Sequence, residues 1–313
     1  MRVLVTGAGG MIGGALCETL LERGDEAVGL SRDPRRAAER RPEVAWHAWE
    51  PTLERPPPAA LEGVDAVVNL LGERIAQRWT ADAKRRIMDS RRLGTRNLVA
   101  AIRAMERPPR VMVSQSAVGW YGDRGDEELD EGSPPGEGFD AEVTRAWERE
   151  AREVEAAGVR LVITRTGHVL DPSGGLLKEL LLPFRLGLGG PIAGGRQYVS
   201  WIHRDDEVGL LTWALDEERA SGVVNATAPR PVTNGAFAAA LGRALGRPAV
   251  VPVPGLALDL RFGRELGRVL RGGQRVLPER APGLGYRFRH PELDAALADL
   301  LDGDGRREPS AEA

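Results

Sequence analysis

The chain of 313 residues holds a single cysteine, Cys17. No disulfide framework and no cysteine-based zinc site can therefore form within it. Lysine is nearly missing too. Of 43 Lys plus Arg residues, only Lys84 and Lys178 are lysines, and the arginine richness reads as compositional. No apolar run approaches the roughly 18 residues of a membrane span. The N-terminus opens as a strand rather than as a secretory leader. The net charge is -3, and no basic face is evident. Nucleic acid and membrane are thus not expected partners. A cytoplasmic protein acting on a small-molecule substrate is expected, with the oligomeric state left open.

What the chain has is glycine, 39 residues of it, and the first cluster is the most telling. The apolar run Val3 to Val5 leads straight into Gly7-x-x-Gly10-x-x-Gly13, and Ile12, Leu16, Leu20 and Leu21 then follow a helical period. Strand, glycine turn and helix are the context in which this fingerprint binds a dinucleotide. Gly7 permits the tight turn, Gly10 lets the backbone approach a pyrophosphate, and Gly13 seats the helix on its strand. Met11 and Ile12 open the helix, whose free N–H groups and positive dipole end would face the phosphates.

Further along, strands are expected at 26–30, 44–49, 64–71, 110–116 and 159–164, with helices across 80–105 and within 136–157. This β-α alternation argues an α/β fold with a doubly wound parallel sheet. After Val169 the rhythm breaks into glycine-rich and proline-rich stretches. The expected division is a dinucleotide-binding domain over 1–169 with a return segment at about 199–230. A smaller substrate or cap lobe takes 170–198 and 231–302, and 303–313 is expected to be a disordered tail.

Ligands of such sheets gather beyond the carboxyl ends of the strands. The second strand ends in Ser31-Arg32 where an NAD site would place an acid. A hydroxyl and a guanidinium suit a 2′-phosphate and favour NADP(H); Asp33, one residue further, argues for NAD unless Pro34 makes it a turn residue, which is the reading favoured. The alternative is a solvated surface arginine. Gly72 would admit the adenine–ribose half of the cofactor. Ser114 and Ser116 end a later strand. Tyr121 follows them, either reaching the substrate or packing under its loop. His168 is either a proton donor near the cofactor or a packed histidine, and His203 reads as structural. No His, Asp or Glu cluster has metal-ligand spacing, so no metal is expected.

These segments resemble the extended short-chain dehydrogenase/reductases. In particular they resemble an atypical subgroup, the NAD-dependent epimerase/dehydratase family proteins with a C-terminal domain of unknown function. The resemblance lies in Asn69–Ile75 with Arg78-Trp79 and Asp89-Ser90-Arg91, in Ser116–Gly122, in Arg165-Thr166-Gly167 with 182–191 and 195–203, and in 272–278 with Gly285-Tyr286. It implies a Rossmann domain holding NADP(H), with a C-terminal cap. On it, Ser31, Arg32, Leu70, Leu71 and Arg91 match cofactor-contacting positions, and Val169 would lie by the nicotinamide.

The superfamily's chemistry uses Ser, Tyr and a Lys four residues after the Tyr, and here the chain departs. Residues 125, 202 and 290, four beyond its three tyrosines, are Gly, Ile and His. The helix expected to carry the pair instead presents Phe139, Val143 and Trp147 as a core stripe. Asp140, Thr144 and Glu148 form a second stripe, facing either cofactor or solvent. The expected function is an NADP(H)-dependent oxidoreductase or epimerase of atypical short-chain type, acting on a small carbonyl or hydroxyl substrate. Ser116 would orient that substrate, Tyr121 would be the surrogate acid, and the glycine-rich 186–196 a lid. The alternative is an NADP(H)-binding regulator without catalysis.

Overall fold

The computed structural model describes residues 1–302; the tail expected at 303–313 lies outside the described residues. The elements run β1 (Arg2–Thr6), α1 (Met11–Glu22), β2 (Glu26–Ser31), α2 (Pro34–Arg40), β3 (Ala45–Ala48), α3 (Pro58–Leu61), β4 (Ala66–Asn69), α4 (Ala81–Ile102), β5 (Val111–Ala117), β6 (Glu128–Leu129), α5 (Phe139–Arg152), β7 (Arg160–Thr166) and β8 (His168–Leu170). Then come α6 (Gly175–Arg185), β9 (Tyr198–Val199), β10 (Trp201–His203), α7 (Arg204–Asp216), β11 (Gly222–Ala226), β12 (Val232–Thr233), α8 (Asn234–Leu245), α9 (Gly255–Phe262), α10 (Arg264–Arg271), β13 (Arg275–Val276), α11 (Arg280–Gly283) and α12 (Leu293–Asp302).

Seven strands make one parallel sheet in the order β11-β7-β5-β4-β1-β2-β3. Its central strands are apolar on both faces because helices cover both. Val3, Val5, Val68 and Val113 meet Leu16, Leu20, Leu210 and Leu211 on one side. Leu4, Val67 and Met112 meet Leu98 and Ile102 on the other. Burying one such side chain contributes about 1.5–3 kcal/mol relative to leaving it exposed. A separate core of Leu177, Phe184, Trp201, Phe237, Leu241 and Leu297 gathers α6, α8 and α12 beside the sheet.

The expected boundaries shift for identifiable reasons. The helix expected within 136–157 starts only at Phe139, because Gly138 before it sits at φ 107°, outside helical space. The strand expected over 64–71 ends at Asn69, and Leu70 to Gly72 form the loop at the sheet's carboxyl edge. Thr80 caps α4 by accepting a bond from the Ala83 N–H at 3.2 Å. Among the described residues no helix is long and apolar enough to cross a membrane.

Candidate functional site

The glycine turn is built as its spacing demands. Gly7 sits at φ +68°, and a Cβ there would lie 2.8 Å from the Leu70 carbonyl oxygen. A Cβ on Gly13 would lie 2.3 Å from the Gly7 oxygen, so helix and strand approach as only glycine allows. The Gly10 N–H closes the turn on the Gly7 carbonyl at 2.9 Å. No side chain caps α1 and its first turn holds no acid, so its N–H groups stay available to an anion. Met11 and Ile12 lie partly buried against the sheet's core. A Cβ on Gly174 would fall 2.6 Å from the Met11 sulfur, so the turn after β8 touches the glycine turn.

At the end of β2, Ser31 Oγ accepts the Asp33 N–H at 3.1 Å. The Asp33 carboxylate in turn caps α2, accepting the Arg36 N–H at 3.1 Å. Asp33 is thus engaged by the backbone, and Arg32 is exposed beside it.

The β4 edge rests on a buried polar chain. Thr6 Oγ1 donates to Asn69 Oδ1 at 2.8 Å, and the Asn69 amide donates to Thr95 and Ser114 at 3.0 and 3.2 Å. Ser114 was expected at the cofactor; the structure places it inside this chain, 1% exposed, where it aligns β4 with β5. Leu70 and Leu71 lie half-buried at the edge, with the Leu71 side chain over Gly94. Arg91 lies against Gly72 and donates to the Glu73 and Ile87 carbonyls at 3.0 and 3.3 Å. Its guanidinium sits 5.0 Å from the Trp147 ring centre. Burial pulls Arg91 down to about 10. No carboxylate pairs with it among the described residues, so it presents positive charge where the resemblance expects cofactor. Val169 lies in β8, 8% exposed.

The second α5 stripe does not face solvent: Asp140, Thr144 and Glu148 are all buried. Glu148 accepts from Ser116 Oγ at 2.8 Å and from Arg165 at 2.8 and 3.1 Å. Arg165 also donates to the Tyr121 hydroxyl at 3.1 Å and lies 3.9 Å from the Trp120 ring centre. Tyr121 donates onward to Asn225 Oδ1 at 2.6 Å. Ser116 and Arg165 are register partners on β5 and β7, which explains their convergence on one carboxylate.

This arrangement departs from the surrogate-acid expectation for Tyr121. The side chain is 0% exposed, and its phenol is pushed up to about 12, chiefly by burial. That is the reverse of the activation an acid–base tyrosine needs. Tyr121 braces β5 against β7 and β11. Glu148, Arg165 and Asn225 complete the cluster. Glu148 stood out beforehand as a stripe position and Arg165 only within the resembling segment Arg165-Thr166-Gly167, because the partners come from strands far apart in sequence.

His203 is structural, as its apolar neighbours suggested. It is fully buried, its Nδ1 accepts the Asp205 N–H at 3.0 Å at the start of α7, and it stacks on His290 at 3.7 Å. Asp299 lies 3.3 Å from its Nε2. These three residues are the one group with ligand atoms close enough for a metal among the described residues, which sequence spacing alone could not show. The rings lie face to face at 18°, and Nδ1 already accepts a bond, so in the neutral ring the proton sits on Nε2, which makes no hydrogen bond. A ligating histidine donates its other N–H instead.

Comparison with known proteins agrees with this architecture. The model of the NAD dependent epimerase/dehydratase family matches residues 3–226, and a domain of unknown function, DUF1731, matches 253–300. The chain belongs to the NAD dependent epimerase/dehydratase family. It is 40% identical to the epimerase family protein SDR39U1 of Bos taurus, over 96% of this chain and 100% of that protein. The crystal structure of human SDR39U1 (isoform2) with NADPH superposes with a TM-score of 0.88 at 38% identity, covering 96% of this chain and 99% of that one. A nucleoside-diphosphate sugar epimerase from Corynebacterium glutamicum superposes at 0.77 with 32% identity, over 96% of this chain and 58% of that chain.

Proposed function

We propose that this protein is a cytoplasmic NADP(H)-dependent oxidoreductase or epimerase acting on a small carbonyl or hydroxyl substrate, bound between the parallel sheet and the C-terminal lobe. The observation that carries the reading is the glycine turn: Cβ atoms at Gly7 and Gly13 would strike Leu70 and the Gly7 carbonyl, so only glycine brings the uncapped start of α1 this close to the strand end. The human relative that crystallised with NADPH, 38% identical, supports the same cofactor here. The engaged Asp33 beside the exposed Arg32 supports NADP(H) over NAD(H). Gly7 to Gly13 would hold the pyrophosphate, Ser31 and Arg32 the 2′-phosphate, and Leu70 to Gly72 with Arg91 the adjoining edge. Val169 would lie by the nicotinamide. When bound, the cofactor supplies a hydride donor or acceptor. The protein's own part is to orient the substrate at the carboxyl edge of the sheet and to move a proton.

The buried state of Tyr121 favours a second reading, a dinucleotide-binding regulator without catalysis. A titration with NADPH, NADP, NADH and NAD, followed by a carbonyl and alcohol screen, separates the two. Turnover with the phosphorylated cofactor supports the enzyme. Binding without turnover across the panel supports the regulator, and no binding of any dinucleotide sinks both.

A further inference from the structure

The C-terminal lobe presents a face that its own packing leaves uncovered. α6 buries Leu177, Leu181 and Phe184 in the core it shares with α8 and α12. Its outer side repeats Lys178, Leu182, Arg185 and Leu186 at helical spacing, and Leu182 and Leu186 are 67% and 64% exposed. A surface helix is polar on its outer side, whereas this one is apolar on both. Leu188 follows, and the Val251 N–H donates to the Gly189 carbonyl at 3.0 Å, which brings the exposed Val250 and Val251 alongside. α9 starts four residues later and carries Leu256 and Leu260, one turn apart and 69% and 72% exposed. Arg261, at the far end of α9, pairs with Glu179 of α6 at 3.2 Å, so α9 is tied to the α6 segment at both ends. Seven of the nine large hydrophobic side chains exposed among the described residues therefore belong to this one face. Such a concentration marks an interaction site, where single exposed leucines would not.

The charge on this face is of one sign. Residues 175–192 and 246–271 hold seven Lys and Arg against three acids, although the chain as a whole stands at -3, which is why no basic face shows in its total. Each of the three acids is already paired: Glu179 with Arg74 and Arg261, Asp259 with Arg271, and Glu265 with Lys84. Lys178 sits one turn before Leu182, and Arg247 lines a surface hollow together with Val250. Neither has a carboxylate partner among the described residues. The complement of this face is thus apolar and anionic. A second copy docked across a two-fold axis would set cations against cations, which like-charge repulsion opposes. Leucines exposed by two-thirds stand out from the surface and form no groove for a helix or peptide. A fluid bilayer needs no matching shape.

We infer that the face formed by α6, α9 and the segment around Val250 docks reversibly on an anionic lipid bilayer. Leu182, Leu186, Leu256 and Leu260 enter the boundary between headgroups and acyl chains, while Lys178, Arg185 and Arg247 meet lipid phosphates. This inference stands apart from the cofactor reading.

The test is flotation of the whole protein with vesicles of phosphatidylcholine alone, and with vesicles in which about a third of the lipid is phosphatidylglycerol. The protein floats with the anionic vesicles at about 0.1 M salt, stays behind with the neutral ones, and loses most of its binding at about 1 M salt. Leu182→Gln with Leu260→Gln removes apolar contact, and Lys178→Gln with Arg247→Gln removes charge. Each pair weakens partitioning about tenfold or more. All four positions are exposed, so both variants unfold at the parent's urea midpoint. No flotation with either vesicle, equal flotation with both, or variants that float like the parent would overturn the inference. So would light scattering that finds a dimer dispersed by the leucine pair, since that result gives the face to a second copy.

Discussion

Ser116 Oγ donates to Glu148 Oε1 across 2.8 Å, and Arg165 grips the same carboxylate through two nitrogens. All three residues are nearly sealed from water. A buried ion pair is costly to form but far costlier to break on one side, because the remaining charge has no partner. Glu148→Gln keeps shape and leaves the guanidinium unpaired, so it should destabilise the protein by about 3–5 kcal/mol in urea unfolding. Adding Arg165→Met removes the orphan charge and should recover part of that loss. A single substitution costing less than about 1 kcal/mol would show that the pair is not sealed as described.

Tyr121 shares this network through its hydroxyl. Tyr121→Phe removes a donor to Asn225 and an acceptor for Arg165. Stability should fall by about 1–3 kcal/mol, the cost of leaving buried partners unsatisfied. NADPH affinity should stay within about twofold, since the phenol does not open onto the cleft. Absorbance titration should show this phenol ionising later than the exposed-tyrosine range, because burial raises it. A Phe variant as stable as the parent but unable to bind NADPH would contradict this placement.

The cofactor cradle was legible because its determinants are local. Gly7, Gly10 and Gly13 fall within one turn, and the steric reason for each can be written from spacing alone. The doubly wound sheet was legible because Val64 to Leu71 and its fellows are apolar on both faces. The Ser116 cluster was not. Arg165 and Asn225 look like any strand residues until β7 is laid between β5 and β11, and only register joins them. Ser114 misled because a strand-end serine reads as ligand-facing, whereas the Asn69 amide claims it from the neighbouring strand. Asp33, expected as a turn residue from the proline after it, instead caps α2, with Pro34 at the helix's first position.

Glu207 gives the fold a pH signature. It lies on α7 with no exposed surface, accepts one bond from Thr166 Oγ1 at 3.0 Å, and has its second oxygen unpartnered. Burial pushes its carboxyl up to about 8. The folded protein therefore holds a proton there that the unfolded chain releases near the ordinary value of 4.5. Between those values the unfolded state binds fewer protons, so stability falls as pH rises. The contribution is fully present below pH 4.5 and lost as pH climbs through about 8. The slope from one proton is at most about 1.4 kcal/mol per pH unit. Urea midpoints from pH 5 to 8 should decline, and Glu207→Gln, neutral throughout, should flatten that decline. An unchanged slope in the variant would assign the pH dependence elsewhere.

Arg32 tests the cofactor preference without disturbing the core. It is exposed at the end of β2, and its neighbour Asp33 is already engaged by the Arg36 N–H. A guanidinium there attracts a 2′-phosphate through charge-assisted bonds; a carboxylate repels it and can accept a bond from a ribose hydroxyl. Arg32→Glu should therefore weaken NADPH about tenfold to a hundredfold while leaving NADH unchanged or tighter. That corresponds to about 1.4–2.8 kcal/mol. Fluorescence titrations with both cofactors read the two affinities directly, and unfolding midpoints should match the parent because the site is exposed. The loss should shrink as salt is raised, since an exposed charge contact is screened. Equal weakening of NADPH and NADH would mean that Arg32 shapes the pocket without reading the phosphate. Ser31, whose hydroxyl accepts the Asp33 N–H, would then be the group to change next.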